Sequence, residues 1–254
     1  MSDREPSGTT EGASFEDRSK GGIISQPRQH TVSLVPNPSY RKPANPGPLG
    51  LLGFATTTLV MGLYQCGAGL PDSNPFGTVG PDAAIFGLAV FFGGMAQIIA
   101  GIMAFITGNT FGTTVHIAYG SFWLGYTMFL VPSLGIKDAY AGDQRAYSFA
   151  LGIYLLFWCF LSIMFLVAAL RTNYTILAVF VFLVFAYFFL SLAQFVQTSD
   201  MDNAVRLNRA GGAFSFLCAL AAFYAGASGL MVPETTFVRL PLGIIAPVEE
   251  NPPA

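Results

Sequence analysis

A chain of 254 residues has room for one or two ordinary soluble domains, yet 53% of it is hydrophobic and only 10% is charged, against roughly 25% charged in a typical globular domain. The net charge is −2, and the charges crowd toward the start: five of the fourteen Asp and Glu lie at or before Asp17, and six of the twelve Lys and Arg lie at or before Lys42. From Pro43 to Ile136 the only charges are Asp72 and Asp82, which excludes a water-facing domain surface and defines an integral membrane protein.

Residues 1–44 are rich in Ser, Gly, Pro and charge and show no apolar period, so they are expected to form a disordered cytoplasmic N-terminal tail. The stretch lacks the apolar core of a signal peptide, and the first membrane segment is expected to follow it. Six charge-free apolar segments come next: Leu49–Cys66, Ala83–Ile106, Thr113–Val131, Tyr147–Leu170, Tyr174–Val196 and Gly211–Leu230. A spanning helix needs about 20 residues, whereas strands of a membrane barrel would be about 10 and would alternate in polarity. The expected fold is therefore an all-α integral membrane protein with six transmembrane helices per protomer over residues 45–231, then a short C-terminal tail over 232–254.

The connectors carry the breakers and the remaining charge. Gly67–Asp82 holds three prolines, Ser133–Arg145 holds Lys137, Asp138, Asp143 and Arg145, and Thr198–Arg209 holds Asp200, Asp202, Arg206 and Arg209. With the N-terminus in the cytoplasm, the inner segments carry eight Lys and Arg and the outer ones four. That bias places both termini inside, and the expected location is the plasma membrane.

Gly87, Gly94 and Gly101 recur every seven residues, and Ser215, Ala219, Ala222, Gly226 and Gly229 form a second small-residue stripe. Such stripes let helix backbones approach closely in lipid, either inside one bundle or between subunits. Cys66, Cys159 and Cys218 sit in apolar runs without metal or disulfide spacing, so structural thiols are expected. No basic stripe suggests nucleic acid.

Polar residues within the spans include Gln97, His116, Tyr119, Ser121, Tyr126, Ser191 and Gln194, and each costs free energy unless it finds a partner. His116, Tyr119 and Trp123 share one face by their spacing. Thr57, Met61 and Tyr64 lie on one flank of the first helix, with Phe54 and Thr58 on a neighbouring one. No Lys, Arg, Asp or Glu lies within any span, which disfavours Schiff-base, carboxylate-relay and voltage-sensing chemistry. A naked anion in such a core would cost many kcal/mol, whereas a weak acid, with a pKa near the 4.3 of Glu, can travel with its proton as a neutral unit. His116 is the one titratable group inside a span near neutral pH; it could carry a coupling proton or sit neutral and hydrogen-bonded.

Asn45-Pro-Gly-Pro-Leu-Gly-Leu51 closely resembles the N-P-A-P-L-G-L signature of the acetate uptake transporter family, the succinate–acetate permeases of bacteria and their fungal relatives. Gly47 stands where the family has Ala. Phe92-Gly-Gly-Met-Ala-Gln-Ile-Ile-Ala-Gly101, Asn109-Thr-Phe-Gly112, Tyr119-Gly-Ser-Phe-Trp123 and Arg209-Ala-Gly-Gly212 resemble further family stretches in order and spacing. The resemblance implies a homo-hexamer with a path through each protomer and an apolar constriction of Phe54, Tyr119 and Leu183. Asn45, Leu49, Thr58, Gln97, His116 and Trp123 are the candidate path-lining or substrate-binding residues. It implies a transporter of acetate and other small monocarboxylic acids, coupled to protons, with the Tyr119 hydroxyl handing the solute across and no cofactor or metal. A passive acetate channel, an ammonium exporter and an acetate sensor are the alternatives. An enzyme is not expected, for want of a nucleophile–base or metal constellation.

Overall fold

The computed structural model describes residues 43–77 and 82–245, and its regular elements are helices. Six long helices follow one another: α1 (Gly47–Gln65), α2 (Ala83–Ile106), α3 (Thr110–Phe129), α4 (Gln144–Ala168), α5 (Tyr174–Val196) and α6 (Met201–Leu230). The expected tail falls almost wholly outside the described residues.

Helix starts follow local chemistry. The Asn109, Asp143, Asn173 and Asp200 side chains accept the backbone N–H of Gly112, Ala146, Ile176 and Asn203, capping α3 to α6. At α1, Asn45 Oδ1 accepts the Gly47 N–H at 3.0 Å, while Pro48 occupies an early position that needs no donor. Helix α5 coincides with the expected span residue for residue. Helix α6 begins ten residues before the expected Gly211, so most of the stretch taken for a connector is helix. Asp202, Arg206 and Arg209 keep those first turns out of hydrocarbon but not out of a helix.

Five of the six helices are long and apolar enough to cross a membrane; α3 is the exception. It has 20 residues, and its hydropathy is lowered by the residues it turns inward. His116, Tyr119, Trp123 and Thr127 are all buried.

Close backbone neighbours run in the order α3, α2, α1, α6, α5, α4. Between α3 and α4 the ring is closed by aromatic side chains instead. Phe122 meets Trp158 edge-on at 5.1 Å and stacks on Tyr154 at 6.1 Å, and Tyr119 meets Phe165 edge-on at 5.7 Å. Such pairs contribute about 0.5–1.5 kcal/mol each beyond burial. Large apolar side chains such as Phe91, Phe105, Phe157 and Met164 face outward, as a lipid-facing surface requires.

The small-residue stripes pack within this ring. Gly94 lies against Leu124 and Gly101 against Ile117, both on α3, while Gly226 lies against Leu51 and Leu52 of α1. Gly87 faces open space. Residues Ala89–Ala96 form π-helical turns, whose i→i+5 bonding rotates the chain less per residue and throws Gly87 out of line. At the α1–α2 crossing, a Cβ on Gly53 would stand 2.5 Å from the Phe92 carbonyl oxygen. Gly53→Val is therefore expected to destabilise the fold by about 1–3 kcal/mol, read as a lowered Tm in detergent; an unchanged Tm would contradict the close approach.

The C-terminal segment is fastened to the bundle. Tyr224 Oη donates to the Pro241 carbonyl, Ser228 Oγ to that of Leu240, and the Tyr174 N–H to that of Gly243. These bonds tie it to the end of α6 and the start of α5.

Candidate functional site

Inside the ring, a cavity of about 260 Å³ is lined by residues of α1, α3, α4, α5 and α6. Its mouth lies where α1 and α3 end and α4 and α6 begin, and is framed by Gln65, Gln144, Gln197 and Asn208. Pro75 and Phe76 of the first connector also border it. Arg209 holds that connector in place: Nε donates to the Ser73 carbonyl at 3.1 Å and Nη2 to that of Asp72 at 3.2 Å.

Amides and hydroxyls line the upper wall. Ser148 Oγ donates to Gln197 Oε1 at 2.6 Å and accepts from Gln144 Nε2, and Asn208 Nδ2 donates to the Gln65 carbonyl at 3.0 Å. Gln194, Tyr126, Tyr147 and Tyr187 complete a wall that, among the described residues, carries no charged side chain.

The floor is apolar, made by Phe54 and Leu183, each about 95% buried. One turn above the floor, Thr58 and Trp123 face the cavity. Thr58 Oγ1 and Trp123 Nε1 are buried and have no hydrogen-bond partner among the described residues. The indole N–H can only donate, and the hydroxyl can donate or accept.

Tyr119 lies beneath the floor, outside the cavity lining, with its ring 5.5 Å from that of Phe54. Its hydroxyl stands 2.9 Å from Ser162 Oγ, and Ser162 in turn donates to the Trp158 carbonyl at 2.7 Å. The Ser162 proton is thus committed, and Tyr119 is the donor of the pair. A hydroxyl bonded to α4 does not present its proton to a solute above the floor. Below it, Tyr119, Phe165 and Phe180 pack together, and Phe111 meets Phe180 at 5.9 Å. This aromatic plug closes the space under the cavity.

The structure thus gathers Phe54, Leu183, Thr58 and Trp123 in one wall and sets Tyr119 directly beneath. Gln97 and His116 are buried but do not line the cavity. Gln97 Oε1 and His116 Nδ1 also lack partners among the described residues. Asn45 and Leu49 are exposed at the opposite end of the bundle from the mouth. On the first helix, Met61 and Tyr64 line the cavity with Phe54 and Thr58, whereas Thr57 turns to Gly93 on α2. Sequence reasoning missed Tyr187, Ala186 and Ser162. Tyr187 follows Leu183 by four residues, a spacing that could have found it. The three cysteines are free, with each sulfur near a backbone carbonyl.

Apolar helices around an uncharged internal cavity define a multi-pass membrane protein. The chain belongs to the GPR1/FUN34/yaaH family, whose model matches residues 29–246. It is 34% identical over 206 residues to the Meiotically up-regulated gene 86 protein of Schizosaccharomyces pombe, covering 81% of this chain and 64% of that relative's length, somewhat less than two thirds. It is 30% identical over 203 residues to the Succinate-acetate/proton symporter SatP of Escherichia coli strain K12, covering 80% of this chain and 96% of the relative. Among solved structures it resembles that of the bacterial acetate channel SatP, with a TM-score of 0.64 and 30% identity over 80% of this chain and 99% of that one. The family is one of transporters and channels.

Proposed function

We propose that this chain moves acetate and other small monocarboxylic acids across the plasma membrane, each together with a proton, by a path through the centre of each protomer. The observation that carries this reading is the cavity itself. Its wall has amides and hydroxyls and, among the described residues, no fixed charge, and it ends on an apolar floor. A solute with a polar end and a short apolar end matches both surfaces. A naked anion has no cation to meet, so the acid form suits the floor. Phe54, Leu183 and Tyr119 then act as a constriction that holds back water and ions by dewetting. The similarity to a bacterial acetate channel and a succinate-acetate/proton symporter supports the same class of solute.

In this reading α3 crosses the membrane as a sixth span, with its polar side chains shielded inside the ring. Both termini are cytoplasmic, by the distribution of Lys and Arg, and the mouth faces outward. Residues 1–44 are a cytoplasmic tail, 45–231 the membrane domain and 232–254 a C-terminal tail. The outward apolar faces serve lipid and neighbouring copies in a homo-hexamer, as the family resemblance implies. Asn45 and Leu49 mark the inner end of the path.

The test is labelled-acetate flux into liposomes holding the purified protein, with and without an inward proton gradient. Accumulation beyond equilibration, after subtraction of protein-free liposomes, is expected. Equilibration without accumulation would turn the reading to a passive channel. An absence of protein-dependent flux from folded material would sink both.

A further inference from the structure

The geometry points to His116 as the hydrogen-bond acceptor that receives the protonated acid on the far side of the constriction. This rests on the transport reading above and adds a residue to it.

Helices α1 and α3 run parallel, since the C-terminal ends of both border the cavity mouth. Their side chains therefore meet in levels about one turn, or ~6 Å, apart. Thr58 and Trp123 form the level facing the cavity, and Phe54 and Tyr119 form the next, in ring contact. Gly50 and His116 form the level beneath. The imidazole packs against Gly50 so closely that a Cβ there would collide with the ring. The absence of that Cβ makes room for the imidazole at this crossing.

His116 Nδ1 is buried and has no hydrogen-bond partner among the described residues. No hydrogen bond among the described residues fixes the imidazole tautomer; the ring proton is assigned to Nε2, which leaves Nδ1 a lone pair that accepts. An unpaired buried acceptor is costly and calls for an explanation. The Tyr119 hydroxyl, one turn away on α3, is bonded to Ser162. Hence the free polar atom on α3 below the rings is an acceptor, whereas the free groups above them include an indole donor. An acid carbonyl oxygen suits the upper level, and an acid O–H suits the lower. A carboxylate has no proton to offer Nδ1, so this site admits the solute only with its proton attached. No proton need leave the acid at this step: its O–H bond stays intact and points at the lone pair.

On α6 the charged groups Asp202, Arg206 and Arg209 lie in its first turns at the mouth end, and Arg171 follows α4 at the end of the bundle nearer His116. Helices α1, α2 from Ala83, α3 and α5 contain no Asp, Glu, Lys or Arg. The titratable group nearest in level is Tyr119, and Arg145 on α4 lies at the mouth end, next to Gln144.

The experiment uses the full chain in liposomes and measures saturable acetate uptake for the parent, His116→Leu and His116→Asn. Leu fills the space without an acceptor, and Asn places an amide oxygen near the position of Nδ1. The expected result is a KM raised about tenfold in His116→Leu and restored to within about threefold of the parent in His116→Asn. Equal KM values for all three would overturn the proposal, as would a folded His116→Asn that fails as badly as His116→Leu. Should His116→Leu not fold, the parent decides alone. Its KM in total acetate is expected to rise about tenfold per pH unit above the acid's pKa, and a KM independent of pH would overturn the acid-form requirement. If the parent shows no saturable flux, the transport reading itself fails, which is a separate result.

Discussion

Phe54→Ala is expected to turn a selective path into a leak. Phe54 is 5% exposed and forms the floor of the cavity with Leu183, its ring 5.5 Å from that of Tyr119. An apolar constriction excludes ions because water in it is poorly held, and removing a whole ring widens it to where water can stay. Proton leak in liposomes is expected to rise at least tenfold, and larger acids such as lactate to enter at rates approaching that of acetate. The lost ring also costs the fold about 3–5 kcal/mol, so Leu183→Ala serves as a companion with a smaller cost of about 2–5 kcal/mol. If both variants are folded, yet keep the parent's proton tightness and its preference among acids, the floor is not the selective element.

The engaged state of the Tyr119 hydroxyl bears on how the floor is held. The chain from Tyr119 through Ser162 to the Trp158 carbonyl joins α3 to α4 across the one junction of the ring where the backbones do not pack closely. Side chains alone hold this seam. The aromatic contacts along this seam include the level of the floor, where Tyr119 meets Phe54.

Much of this architecture was legible in the sequence. Helix α5 matches the expected span residue for residue because a long apolar run lies between Arg171 and Asp200, and Asn173, which caps it, starts it where that run begins. Apolarity alone sets the start of α6 too late, because Asp202 and Arg206 forbid hydrocarbon while permitting helix; the cap at Asp200 marks the true start. Spacing placed His116, Tyr119 and Trp123 on one buried face. It could not tell which neighbour that face meets, and the three differ for that reason: Trp123 borders the cavity, Tyr119 lies beneath the floor, and His116 rests on Gly50. Thr57 and Thr58 make the same point, one turned to α2 and the other to the cavity. Gln97 carried a polar signal as strong as any, but it lies on α2, which contributes no residue to the cavity wall. Ala186 gave no signal at all, since a small apolar residue in an apolar helix looks alike on every face.

Ala186 nevertheless supplies the other large expected effect. It lies on α5 three residues beyond Leu183, it is 1% exposed, and it borders the cavity. A benzyl group added there would extend into empty space of about 260 Å³, not into packed atoms. Ala186→Phe should thus avoid much of the ~1–3 kcal/mol cost of overpacking while filling the chamber above the floor. Saturable acetate uptake is expected to fall at least twentyfold, chiefly through kcat, with the Tm within a few degrees of the parent. Val181→Phe adds the same group to the same helix on an exposed face and is expected to leave uptake within twofold. A solute path running through this cavity requires the two variants to differ. Equal uptake by folded Ala186→Phe and Val181→Phe would mean that the acid crosses elsewhere, between protomers or along the outer helix faces.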